Sequence, residues 1–426
     1  MTRNLQHAII NDILKIVSIK SFTGTDGIKK CQTEIVKIAK SLGFEVSIRG
    51  KKQVIVIEPK SKTETPELGI ITHLDTVPFD SEEWIFNPLG EISNGRIYGR
   101  GVLDDKAAII FSMYAFYLLK DWISPSWQII IGSSEEGDWI DMKAYLEEGH
   151  ILPKFSVTID GDGIQNGSKG YLDLELKFIK EKNQNKLLKL YVPNGKENTV
   201  PQKAVAIIEN QTLEENGKAA HSSIPDKGEN ALIKLANSIY KNYQPKEFIG
   251  FFKMMNILKS TFDATSIGFP KRPEILNKQY VGFTTVCPTM CSLNKDSLSV
   301  NLNFRLCPGI TPEDIRRAIK YIADTFNCTC FIKKLEYPVY VSPNSIEIRY
   351  MLDAYEKVLG KKTTSTISNG IGYNAIFPNC VIFGPRFANE DEETDTCHAA
   401  NENRSIEDLF KFFDMFVLFC KKYLRK

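Results

Sequence analysis

Apolar positions along the chain alternate between two spacings, and the alternation predicts the architecture. Leu5, Ile9, Ile13 and Ile16 recur near helical spacing and predict an amphipathic helix over 4–18. A second helix over 27–42 runs up to Gly43, a residue suited to a helix C-terminus. Short apolar runs at 45–48, 54–58 and 69–72 then read as strands. Ala107 to Leu119 is an apolar run of helical length, WQIIIG at 127–132 is a buried strand, 138–148 reads as a helix, and 155–159 is a further strand. Alternating strands and helices of this kind predict an α/β fold.

From Tyr171 the pattern changes. YLDLELKFI, LLKLYVPNG and AVAIIEN read as strands between long polar turns. A helix over 230–240, a strand at SLSVNLNFRL (297–306) and a helix start with Thr311 as N-cap and Pro312 in its first turn follow. Roughly 171–340 is therefore expected to be an inserted α+β domain. The α/β pattern resumes with a helix over 346–359, the Asn369-Gly370-Ile371-Gly372 turn, a strand over 380–384 and a last helix over 406–424. The expected division is 1–170, 171–340 and 341–426.

Composition narrows the function classes without choosing among them. The chain has 426 residues, 25% of them charged and 42% hydrophobic, with a formal net charge of +2, which is ordinary for a globular protein of two domains. The lysines are scattered and no basic run carries interleaved aromatics, so no nucleic-acid partner is expected. The 107–119 run is interrupted by Ser112 and is too short to span a bilayer, so no membrane partner is expected either. Asn11 and Asp12 break any signal-peptide core, which predicts a cytoplasmic protein. Nine cysteines without paired spacing fit reduced thiols, and Cys328 and Cys330 read as packing residues.

The chemistry collects at strand ends. One apolar strand ends in His73-Leu74-Asp75, another in Glu135-Glu136 and a third at Asp160, while Gly99-Arg100-Gly101 leads into Asp104-Asp105-Lys106 at a loop-to-helix junction. Side chains two apart on a strand share a face, so Asp75 could hold the ring of His73 from behind. With His398, these residues make a set of imidazoles and carboxylates suited to two divalent transition metals such as zinc, manganese or cobalt; calcium or magnesium would want more oxygens. Two ions about 3.5–4 Å apart can share one bridging carboxylate and one water. The pair Glu135-Glu136 can then supply one ligand and one general base.

Several ordered stretches together resemble the M20 metallopeptidases, and within them the bacterial PepV-like dipeptidases. They are His73-Leu74-Asp75-Thr76-Val77-Pro78, Trp84 to Pro88, GRIYGRGVLDDK (95–106), GSSEEGDW (132–139), Asn198-Thr199-Val200-Pro201, GKAAHSS (217–223) and DTCHAANE (395–402). The resemblance implies a mixed-sheet, zinc-peptidase-like catalytic domain with an inserted α+β lid domain. It implies that His73, Asp104 and Asp160 hold one metal and that Asp104, Glu136 and His398 hold the other, with Asp104 bridging. Asp75 would orient His73, Glu135 would be the general base, and the Asp104–Asp105 peptide bond would be cis. His221 would lie near the oxyanion, and Asn198 and Arg305 would grip the substrate's free carboxylate. Two divalent ions per chain, zinc with manganese or cobalt as alternatives, a small peptide substrate and a monomeric state follow from the same resemblance.

Two positions depart from the family pattern. The glycine-rich turn, with Gly370 as its substrate-binding candidate, lacks the usual arginine, and Asp162 competes with Asp160 as the ligand. The same site would also serve an N-acyl amino acid deacylase or desuccinylase. A reading from another class is a catalytically silent, metal-bound binding protein, against which the intact Glu135 argues.

Overall fold

The structure is a computed structural model that describes residues 2–180, 187–387 and 396–425. Asp395, the first residue of the DTCHAANE stretch, lies outside the described residues. The chain falls into two compact units. One comprises Met1–Gly167, Val341–Thr366 and Gly372–Lys426; the other comprises Ser168–Tyr340 and the short return Ile367–Ile371.

The first unit is built on a mixed sheet. Its strands lie in the order Glu45–Arg49, Val54–Glu58, Trp127–Gly132, Leu68–His73, Phe155–Thr158, Cys380–Phe383 and Ile164–Ser168. Leu68–His73 runs parallel to both Trp127–Gly132 and Phe155–Thr158, and Cys380–Phe383 runs parallel to Phe155–Thr158. Glu45–Arg49 and Val54–Glu58 are antiparallel to each other, and Val54–Glu58 is antiparallel to Trp127–Gly132. The parallel strands are runs of isoleucine, leucine and valine because helices cover the sheet, so neither side chain direction meets water. Lys106–Leu119 is apolar on nearly every side and buried, packed with Arg3–Val17 and Ile406–Tyr423. The register sets His73 opposite Gly132, so Leu74-Asp75 and Ser133-Ser134 leave the sheet side by side. Strand ends of a parallel sheet are thereby brought to one edge, as the alternating pattern predicts.

The second unit carries an antiparallel sheet in the order Gln211–Asn216, Lys203–Ile208, Leu187–Tyr191, Thr285–Leu293, Ser297–Leu306, Gly170–Ile179 and Thr329–Glu336. Side-chain alternation divides its central strands into two faces. Leu172, Leu174, Leu176, Val300, Leu302 and Phe304 form an apolar core with the helices Ala231–Tyr243, Ile249–Ile257 and Pro312–Phe326. The opposite face presents Tyr171, Asp173, Asn301, Asn303 and Arg305, all buried. The Pro312–Phe326 helix starts at a capping box in which Thr311 and Asp314 satisfy each other's backbone N–H groups. Cys328 and Cys330 pack against the apolar core as half-buried thiols, and none of the nine cysteines, all among the described residues, is in a disulfide. Among the described residues no helix is long and apolar enough to cross a membrane.

Candidate functional site

Three strand ends and the loop that carries His398, all of the first unit, converge on Asp104. Its Oδ1 lies 2.8 Å from His73 Nε2, and its Oδ2 lies 2.8 Å from His398 Nε2. One carboxylate thus presents one oxygen to each imidazole. His398 Nε2 also lies 2.9 Å from Glu136 Oε1. His73, Asp104 and Asp160 offer ligand atoms that all fall within 4.8 Å of one another, as do Asp104, Cys397 and His398. Asp162 points elsewhere: its carboxylate pairs with Arg386 at 2.6 Å, so the structure brings Asp160 and not Asp162 into the cluster.

Two buried atoms at the centre suit a metal ion. His73 Nε2 and Asp104 Oδ1 are separated by 2.8 Å yet lack a properly directed hydrogen bond to each other or to any described residue. Buried polar atoms are normally hydrogen-bonded, and an imidazole nitrogen beside a carboxylate oxygen is a pair that a shared cation would satisfy.

The cluster is electrostatically tight. Burial opposes charge on His73, yet the Asp104 and Asp75 carboxylates outweigh it and hold its pKa well above the ordinary imidazole value. Burial likewise opposes charge on Asp104, but His398 and His73 hold its carboxyl well below the usual range. Burial pushes Asp160 up to about 7, with the Asp104 charge adding to the effect. Glu135 is raised well above the carboxylate range by burial, although His73 opposes it.

Asp75 acts differently from the sequence expectation in one respect. The His73 Nδ1 atom meets the backbone carbonyl of Asp75 at 3.0 Å, while the carboxylate Oδ1 stands farther off at 3.4 Å. The carboxylate accepts instead from the backbone N–H groups of Glu135 and Glu136, at 3.1 and 3.2 Å, and from Thr23 Oγ1 at 2.7 Å. Asp75 therefore fixes the Glu135-Glu136 turn as well as the imidazole.

Further residues hold this site together, and the sequence reading assigns them no role. Glu402, fully buried, accepts from the N–H groups of Gly101, Leu103 and Asp104 at 3.0, 2.8 and 3.3 Å and pairs with Arg100 at 2.6 Å. It gathers the loop that contains the cis Asp104–Asp105 peptide bond. The Tyr373 hydroxyl donates to Asp141 at 2.6 Å and accepts from the N–H of Ser134 at 3.2 Å, just before the glutamate pair. Cys397 Sγ lies 3.2 Å from Asp104 Oδ2, the oxygen that His398 also meets. Consecutive side chains reach one atom here because His398 has a φ of 59°, a left-handed conformation that periodicity cannot reveal. Gly372 leaves space for Glu135: a Cβ there would sit 2.6 Å from Glu135 Oε1.

A model of peptidase family M20/M25/M40 matches residues 69–422. The chain belongs to this family. As an M20 peptidase it is a metal-dependent hydrolase, and the match covers every strand-end residue of the cluster. It is 27% identical over 384 residues to the Beta-Ala-Xaa dipeptidase of Lactobacillus delbrueckii subsp. lactis, covering 80% of this chain and 78% of that protein. Among solved structures, aminoacylhistidine dipeptidase from Vibrio alginolyticus superposes with a TM-score of 0.65 at 14% identity over 98% of this chain and 97% of the other. The dipeptidase Dug1p from Saccharomyces cerevisiae gives the same TM-score at 11% identity over 99% and 96% of the two chains. At such identities the two structures speak for the M20 fold alone.

The remaining sequence candidates lie in the second unit. The N–H of Ser222, next to His221, donates to the carbonyl of Asn198 at 2.8 Å, which keeps Asn198 and His221 adjacent. The His221 Nδ1 atom meets Ser223 Oγ at 2.6 Å, and partial burial together with the Arg305 charge lowers its pKa. Arg305 is buried, stands over the Tyr171 ring at 5.0 Å and donates to the carbonyl of Asn369 at 3.3 Å. Gly370 donates its N–H to Ser368 Oγ at 3.1 Å.

Proposed function

We propose that this M20 peptidase hydrolyses dipeptides or short peptides that end in a free carboxylate. The observation that carries the reading is Asp104, whose two oxygens face two imidazoles at equal distance, with Glu136 and Asp160 completing the donor set on either side. His73, Asp104 and Asp160 would hold one divalent ion and Asp104, Glu136 and His398 the other. When bound, such ions polarise the scissile carbonyl and acidify a shared water, zinc being the metal these donors favour and manganese or cobalt also suiting them.

The chain's own residues then handle the proton. The Glu135 carboxylate takes it from the attacking water and later delivers it to the leaving amine. Its buried surroundings favour the protonated form, so it can keep the proton between those two moments. Asp75 holds the Glu135 and Glu136 N–H groups while this happens, which keeps the base from drifting. Asn198, His221 and Arg305 are assigned to substrate recognition, Arg305 to the terminal carboxylate and His221 to the oxyanion. The chain is read as a cytoplasmic monomer, which light scattering across protein concentrations checks.

The test is metal content measured alongside turnover of dipeptides and of N-acetyl and N-succinyl amino acids, before and after chelation. The expected result is two divalent ions per chain, cleavage of free dipeptides ahead of the acylated amino acids, and loss of cleavage when the ions are stripped. Full turnover by metal-free protein would sink the reading.

A further inference from the structure

The second unit contains a pocket of about 400 Å³ whose lining residues all belong to that unit. Phe262 and Phe283 give it apolar walls, and Lys169 lies among them, only 9% exposed. The Lys169 ammonium runs beside the backbone of Gly282, where a Cβ would meet its Nζ at 3.4 Å. No hydrogen bond or ion pair reaches that ammonium from any described residue. Asp226 stands at the exposed rim of the pocket but makes no ion pair with it. A buried cation without a counter-charge costs several kcal/mol, so the missing partner is a property of the site that needs an explanation.

Two more donors stand unpaired at the same place. Thr285 lines the pocket, and its buried hydroxyl has no hydrogen-bond partner. Thr285 is paired in register with Arg305, whose Nε is also buried and unpartnered. Asn369, another lining residue, is the one whose carbonyl accepts from the Arg305 guanidinium. Arg305 is opposite Tyr171 in the sheet, and Lys169 lies two residues before Tyr171, immediately ahead of the strand Gly170–Ile179. The Arg305 charge acts on Lys169, and two neighbouring cations of this kind suit the two carboxylates of one acidic amino acid.

We propose that this pocket is the subsite for an acidic side chain, and that the preferred substrates are dipeptides whose carboxyl-terminal residue is glutamate or aspartate. The terminal carboxylate goes to Arg305, and the side-chain carboxylate goes to Lys169 and Thr285. This specificity rests on the peptidase reading above and extends it, because Lys169 and Thr285 have no role in that reading. The apolar walls exclude water from the pair and strengthen the charged hydrogen bonds.

The test compares the metal-loaded, full-length enzyme on Ala-Glu and Ala-Gln, which differ only in the side-chain charge. A charged hydrogen bond in such a site predicts about a tenfold higher kcat/KM for Ala-Glu, carried mainly by KM. Lys169→Met should bring the ratio near one, and Lys169→Arg, which keeps the charge, should restore a preference for Ala-Glu. Equal kcat/KM for the two dipeptides in the native enzyme overturns the subsite while leaving the peptidase reading intact. Calorimetric binding of free glutamate and glutamine separates the other case. If neither dipeptide is cleaved but glutamate binds about tenfold tighter than glutamine in a Lys169-dependent way, the acidic subsite stands and the peptidase reading fails. Equal or absent binding in uncleaving protein overturns the subsite too.

Discussion

The polar interiors of the two units are balanced in opposite ways. In the first unit carboxylates and imidazoles face one another at 2.8–2.9 Å, and an excess of carboxylates surrounds them. Around the pocket of the second unit the unmatched groups are donors: the Lys169 ammonium, the Thr285 hydroxyl and the Arg305 Nε. Two acids on that sheet face are engaged already, Asp173 by Asn301 and Glu175 by Lys333. An acid-rich cluster is arranged to receive cations, and a donor-rich face is arranged to receive anions. If the proposed function holds, metal holding and substrate holding fall to separate folding units, each with its own core.

The harshest way to break this contrast is to remove the bridge. Asp104→Asn leaves His73 and His398 in place but takes away the negative charge they share. Loss of several kcal/mol of charge stabilisation predicts at least about a thousandfold lower kcat. Elemental analysis should show fewer than two ions per chain while circular dichroism stays native. Two retained ions with normal turnover would remove Asp104 from the centre of the site.

A subtler change leaves every ligand untouched. Gly372→Ala puts a Cβ only 2.6 Å from Glu135 Oε1, closer than such atoms can stand, so the carboxylate must shift. Misplacement of a catalytic group by about 1 Å predicts roughly a hundredfold drop in kcat, with metal content unchanged. Asp104→Asn and Gly372→Ala therefore separate metal holding from proton transfer within one unit. Unaltered kcat would show that Glu135 is free to work from another position.

These two residues also mark how far the sequence could be read. Asp104 was legible because a loop-to-helix junction and nearby strand ends place acids at one edge of a parallel sheet. The change from α/β to antiparallel periodicity near residue 171 was legible for a similar reason, since period and burial are local properties. Gly372 and Tyr373 were not legible as partners of the glutamate turn. Ser134 and Tyr373 are 239 residues apart, and nothing in either neighbourhood encodes the other. Glu402 stood in view within the DTCHAANE stretch, but its role depends on three backbone N–H groups about 300 residues away. The Lys169 pocket was equally hidden, because an unpaired buried ammonium is a fact about surroundings and not about spacing.

The second unit can be probed through one of its acids. Burial, followed by the Glu197 charge, raises Asp173 from 3.8 to about 6. The folded state then binds more protons than the unfolded state between about pH 4 and 6, so this group lowers stability as pH rises through that window. The penalty is complete above about pH 6 and amounts to roughly 2–3 kcal/mol. Asp173→Asn should flatten that slope in denaturant titrations and make the protein more stable at pH 7. An unchanged slope would mean that the donor-rich face already neutralises this carboxylate.

The smallest expected effect is Tyr373→Phe. The hydroxyl donates to Asp141, which keeps a second bond from the N–H of Ser133 at 2.5 Å, so the acid is not stranded. The N–H of Ser134 loses its partner in a buried place, and leaving such a donor unpaired costs about 1–3 kcal/mol. Thermal denaturation should therefore show a modest fall in Tm. Because Ser134 precedes Glu135, kcat should fall several-fold while the Ala-Glu to Ala-Gln preference, a property of the other unit, stays where it was. A change in that preference would mean that the two kinds of polar interior are not independent.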